Sequence, residues 1–238
     1  PPGAAVLDAS GQYVVPGLID AHMHFGGIRR NVLEFDDWGL RATLAYGVTT
    51  VLDPSSLSID MLAYQDLIDA GQVIGPRLYT TSTAMFSYNR LRSLDDARDL
   101  VRRYRDFYRT RNVKQYRIGS RRDRQWIAMA TRELEVMPTA EGAVDMKLGL
   151  TQVLDGFSGN EHAFGVFPLY RDVVELMARS GTSSVLTLMI SHGGPPAGAD
   201  FVMRTGALTD PRIGELYPAN ARERLFARVP AVAARDYV

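Results

Sequence analysis

Short apolar runs alternate with amphipathic stretches along most of this 238-residue chain. The runs at 14–22, 48–53, 77–82, 112–117, 135–139, 157–161 and 184–190 read as strands. Between them, 34–46, 58–70, 94–109, 121–134, 143–153 and 168–180 place apolar residues at helical spacing and read as helices. Ser93 ahead of Leu94-Asp95-Asp96 predicts an N-cap with an acidic first turn, and Gly181 after Arg179-Ser180 predicts a helix stop. Strands that alternate with helices imply an α/β fold built on a parallel sheet. Seven strands and six clear helices fall one strand short of a closed (β/α)8 barrel. The stretch 195–238, rich in Pro, Gly, Ala and Arg, does not supply an eighth strand; it reads as a long loop with one helix near 219–228.

Composition narrows the class. The length is near the roughly 250 residues of one (β/α)8 barrel, so a single domain over 1–238 is expected, with 197–238 as an irregular C-terminal segment. With 46% hydrophobic and 23% charged residues, disorder is excluded. A formal net charge of zero leaves no global field for nucleic acid or an anionic membrane. The absence of cysteine removes disulfides, thiolate nucleophiles and Cys-ligated zinc together. No run is long enough to span a membrane, and Pro1 to Ala5 lack the charged start and apolar core of a signal peptide, so the compartment stays open. Between Arg90 and Arg124 thirteen basic residues face five acidic ones. They fall largely on two predicted outer helices without interleaved aromatics, so a solvated or partner-binding face is expected rather than a nucleic-acid surface. No dinucleotide, P-loop or G-x-S-x-G element is present, and Met129, Met137, Met146 and Met189 are expected to fill the core.

The candidate chemistry begins at Val14-Val15-Pro16-Gly17-Leu18-Ile19-Asp20-Ala21-His22-Met23-His24. Side chains alternate along a strand, so His22 and His24 face one way and Met23 the other, and two imidazoles can share one divalent cation. Gly26-Gly27 follow as a permissive loop. Asp20 shares that face and could orient an imidazole. Lys114 ends the predicted fourth strand in a chain whose 27 basic residues include only one other lysine, Lys147. A primary amine can take up CO2 as a carbamate, which a guanidinium that stays protonated cannot do.

The string from Val14 to His24, followed by Leu44-Ala45-Tyr46-Gly47-Val48-Thr49-Thr50-Val51-Leu52-Asp53, resembles the first two strands of the amidohydrolase superfamily. The likeness runs over roughly residues 6 to 196. Val113-Lys114-Gln115-Tyr116, Arg121 to Trp126, Thr139-Ala140-Glu141-Gly142 and Asp155 to His162 suggest its imidazolonepropionase/prolidase-like branch. The resemblance implies a TIM-like barrel with metal ligands at the C-terminal strand ends. His22 and His24 would hold one ion, Lys114 as a carbamate would bridge to a second, and His162 in a G-x-E-H pattern would complete the site. Zinc is the expected metal, as one or two ions. Thr139 departs from the family, standing where a fifth-strand histidine is usual; Glu141 could replace that ligand or be a loop residue. His192 and Tyr116, with Arg117, are rim candidates for substrate contact. No residue answers to the family's eighth-strand aspartate, so the catalytic base is unassigned. Residues 1–13, which lack an initiator Met, resemble the end of the small β-sandwich that precedes such barrels, and a fragment of a longer protein is expected. The activity implied is metal-dependent hydrolysis of a C–N bond in a small amide, cyclic amide or dipeptide-like substrate, with homo-oligomers possible and neither nucleic acid nor membrane as partner. The rival is an incomplete barrel that serves as a binding module or is inactive.

Overall fold

β1 (Leu18–Asp20), β2 (Val48–Asp53) and β3 (Arg77–Thr80) form one parallel sheet in chain order. β4 (Asn112–Gln115), β5 (Met137–Glu141), β6 (Gly159–Glu161) and β7 (Ser183–Val185) form a second, again parallel and in chain order. This computed structural model describes residues 3–25, 33–56, 58–142, 145–191, 204–205 and 209–226. Met85 stitches the sheets together: its N–H donates to Lys114 O at 2.8 Å, and the Tyr116 N–H donates back to Met85 O at 2.7 Å. The seven strands therefore follow one another in sequence, as the alternating pattern predicts, and closure by an eighth is not seen among the described residues.

Helices α1 (Trp38–Ala45), α2 (Asp60–Asp69), α3 (Leu94–Arg102), α4 (Arg121–Glu133), α5 (Met146–Leu154) and α6 (Arg171–Ser180) fall between the strands. Their ends are set by local chemistry. Asp37 and Ser93 cap α1 and α3, and Ser120 caps α4 in a reciprocal box with Asp123. Gly181 ends α6 in the left-handed conformation that glycine tolerates. The predicted helix 94–109 continues beyond α3 as a π-helical turn at Arg103–Phe107. Three short helices, α7 (Leu188–Ser191), α8 (Pro211–Leu216) and α9 (Ala219–Phe226), complete the described chain. Among the described residues no helix is long and apolar enough to cross a membrane.

Several expected strands are shorter than their apolar runs. The run 14–22 yields only Leu18–Asp20, because Pro16 has no N–H to donate and Gly17 presses against β2, where an added Cβ would come 2.1 Å from Thr49 Oγ1. The run 184–190 gives β7 and then turns helical, with Thr187 at positive φ. Burial follows the two sheets. One core gathers Leu40, Val51, Met61, Tyr64 and Leu78 between β1–β3 and α1–α2. The other gathers Met85, Val101, Val113, Ile127 and Phe157 between β4–β6 and α3–α4. Met129 and Met137 are exposed rather than core, lying on the outer face of α4 and at the outset of β5. Five of the arginines between 90 and 124, namely Arg98, Arg102, Arg105, Arg121 and Arg122, are paired with carboxylates, as befits a solvated face.

Candidate metal centre

His22 and His24 leave the end of β1 together, and Met23 turns the other way to receive the Thr43 hydroxyl on its sulfur. The alternation thus persists past the last strand residue. The two rings stand 5.0 Å apart, and His162, directly after β6, brings its ring to 5.0 Å from that of His22. With Lys114, Tyr116, Glu141 and Asp20 they line one cavity of about 600 Å³. Residues from β1, β4, β5 and β6 can share a cavity only if the strand row curls, which is how a barrel wall is shaped.

Each imidazole is held through its Nδ1. His22 Nδ1–H donates to Glu161 Oε2 at 2.5 Å, His24 Nδ1–H donates to Asp53 Oδ1 at 3.0 Å, and His162 Nδ1 meets the Thr187 hydroxyl. For His22 and His24 in the neutral tautomer this leaves Nε2 with the lone pair, the arrangement in which an outer carboxylate orients a ligating histidine. Glu161, Asp53 and Thr187 were not singled out from sequence. Glu161 lay inside the G-x-E-H string and Asp53 ended an apolar strand, so both carried a positional signal; Thr187 carried none. Asp20 does not orient an imidazole as expected. It turns back to accept the His22 backbone N–H at 2.9 Å, because two residues along an irregular strand end bring the amide closer than the ring.

Lys114 and Glu141 are the most buried charges of the cavity, and Lys114 is only 1% exposed. The ammonium lies 2.8 Å from Glu141 Oε2 but off the hydrogen-bonding direction, so neither atom has a directed partner among the described residues. Glu141 Oε1 lies 2.8 Å from His162 Nε2. Burial alone would raise the Glu141 carboxyl, but His162 and the Lys114 charge outweigh it and bring it down to about 2. Glu161 is likewise lowered: burial opposes, and the bonds from His22 and Thr139 win. Tyr116 is raised, by burial first and by the Glu141 charge second.

Thr139 lies beside Lys114 in the β4–β5 register and donates to Glu161 Oε1. The fifth strand therefore offers the cavity a carboxylate from Glu141 and a hydroxyl, but no imidazole. Arg117 does not line this cavity, and His192 lies outside the described residues. Among the described residues no three His, Asp or Glu side chains already stand so as to hold a metal ion. The contacts give the reason, since His162 Nε2 and the Lys114 ammonium are both turned onto Glu141. The donor set nonetheless suits a divalent ion: lone-pair imidazole nitrogens, carboxylates, and a buried amine and carboxylate oxygen without directed partners.

No protein-family model matches the chain. A segment of 57 residues is 42% identical to an adenine deaminase of Bacillus velezensis, covering 24% of this chain and 9% of that protein. A segment of 52 residues is 50% identical to a dihydroorotase of Trichlorobacter lovleyi, covering 21% of this chain and 12% of that one. Both likenesses lie within about a quarter of this chain. Solved structures carry the fold likeness over nearly the whole chain. An amidohydrolase superposes with a TM-score of 0.61 at 19% identity, covering 95% of this chain and 63% of that one. A Xaa-Pro dipeptidase with methionine in its active site superposes with a TM-score of 0.56 at 16% identity, covering 90% and 60%. The chain thus spans less than two thirds of either structure, and its aligned segments cover about a tenth of the curated relatives.

Proposed function

We propose that the whole protein is a metal-dependent hydrolase that cleaves a C–N bond in an amide, cyclic amide or dipeptide-like substrate. The observation that carries this reading is the convergence of His22, His24 and His162 on one cavity, each with its Nδ1 held by a neighbouring side chain. His22 and His24 would hold one divalent ion, with zinc as the proposed identity from ligand type. Lys114 as a carbamate and His162 would serve a second ion, with Glu141 as the carboxylate that stands in for the fifth-strand histidine. Such an ion, when bound, lowers the pKa of water toward neutrality and polarises a carbonyl. The rest falls to the chain. Glu161 and Asp53 keep the first two rings aimed, Tyr116 offers a phenol at the cavity wall for substrate, and His192 is proposed for the same rim. Carbamate formation, in which the deprotonated Lys114 amine forms an N–C bond to CO2 and the ammonium's two lost protons pass to solvent, would turn the Lys114 cation into an anion and cancel its attraction for Glu141.

Elemental analysis of chain purified without chelators tests the reading. One to two zinc-like ions per chain are expected, fewer in Lys114→Arg, and an unchanged number in the exposed control Lys147→Arg. Equal retention in both variants removes the carbamate. No bound metal in a folded sample favours the non-catalytic barrel, for which the buried Lys114–Glu141 pair is a purely structural feature.

A further inference from the structure

A second cavity of about 450 Å³ adjoins the first, sharing Asp20 and His24 with it. Its walls include four aromatic rings, Phe25 after β1, Trp38 and Tyr46 from α1 and its C-cap, and Tyr217 from the end of α8. Trp38 and Tyr217 meet at 4.9 Å between centroids, tilted by 46°. Three carboxylates, Asp20, Glu34 and Asp37, also line it, with no Lys or Arg, and the His24 imidazole at its edge is engaged by Asp53. Among the described residues none of the three forms an ion pair. Asp20 and Asp37 each accept one backbone N–H through Oδ1, from His22 and Leu40 respectively.

This pairing of chemistries selects a ligand class. An anion is repelled by the carboxylates, and a neutral apolar group would dry them without a partner, which is costly. A hard metal cation demands a shell of oxygens and gains little from indole and phenol walls. An organic ammonium group satisfies both features, because its diffuse, weakly hydrated charge is attracted to ring faces and to carboxylates together. Beyond the cavity lining, Tyr46 already receives a cation. The Arg212 guanidinium lies 4.6 Å over the Tyr46 ring, its own charge matched by Asp210 at 2.6 Å.

We propose that this cavity binds an organic ammonium group, with Trp38, Tyr46 and Tyr217 as its walls and Glu34 and Asp37 as counter-charges. Asp20 and His24 border both cavities, so a cation seated here lies next to the proposed hydrolytic centre; the binding itself does not depend on hydrolysis or on metal.

The test uses the full chain, metal-free, with Trp126→Phe so that Trp38 is the sole indole of the two in the sequence. Choline is titrated against its uncharged isostere, in which a tert-butyl group replaces trimethylammonium, and Trp38 emission is read while circular dichroism reports folding. Saturable binding of choline, about tenfold or more tighter than the isostere, is expected. Glu34→Gln should narrow that ratio while leaving the isostere unchanged. Equal affinities, or no saturable change in a folded sample, overturn the proposal without touching the metal reading; a ratio unaltered by Glu34→Gln overturns the counter-charge. The comparison of two ligands on one folded protein needs no change in the cavity to be decisive.

Discussion

Glu141 holds the balance of the site, because its two oxygens face a buried ammonium and an imidazole. Removing its charge strands Lys114 in the interior, and an uncompensated buried charge costs about 3–5 kcal/mol. Glu141→Gln in metal-free, bicarbonate-free buffer should therefore lose stability of that order at neutral pH, read by urea unfolding. The pH dependence has a definite sign. The carboxyl moves from an ordinary 4.5 in the unfolded chain to about 2 in the folded one, so its contribution is complete above 4.5 and is lost as pH falls toward 2. The gap between wild type and Glu141→Gln should shrink across that window. A gap that stays constant from neutrality to pH 3 would show that the pair does not set the stability.

The helices show how far local chemistry reaches. Ser120 accepts the Asp123 N–H, and Asp123 returns a carboxylate to the Ser120 N–H at 2.7 Å, so α4 begins where the sequence places a small polar residue before an acidic turn. Ser120→Ala should cost about 1 kcal/mol in thermal or urea unfolding, with no loss of metal binding, because α4 lies outside the cavity. The strands are less self-sufficient. β1 is three residues long and its Leu18 and Ile19 are exposed, so its place comes from the Gly17 contact with Thr49 and the pairing to β2 rather than from burial of its own apolar run.

At the scale of the whole molecule, the hydrogen bond that spans most sequence among the described residues is His22 with Glu161, 139 residues apart and joining the first strand to the sixth. It draws one end of the strand row toward the other. A double-mutant cycle of His22→Ala and Glu161→Ala should give a coupling of about 1–3 kcal/mol, as for a buried hydrogen-bonded pair. Additivity within about 0.5 kcal/mol would mean that packing against the two cores, not this contact, holds the curl.

The α/β class, the order of the elements and the H-x-H pair were legible in the sequence because period, capping residues and side-chain alternation are local properties. The same locality misled at the edges of elements, where Pro16, Gly17 and Thr187 ended strands that hydrophobicity alone would have extended, and at Met129 and Met137, whose apolar character says nothing about which face they occupy. Asp53, Glu161 and Thr187 were not readable as partners of His24, His22 and His162, since a side chain's partner lies across the sheet and is chosen by register and curl. Nor could sequence show that Lys114 and Glu141 meet, two residues of register apart on neighbouring strands yet converging through their length. Local patterning names the candidate groups; long-range packing decides which of them touch, and therefore which charges must neutralise one another.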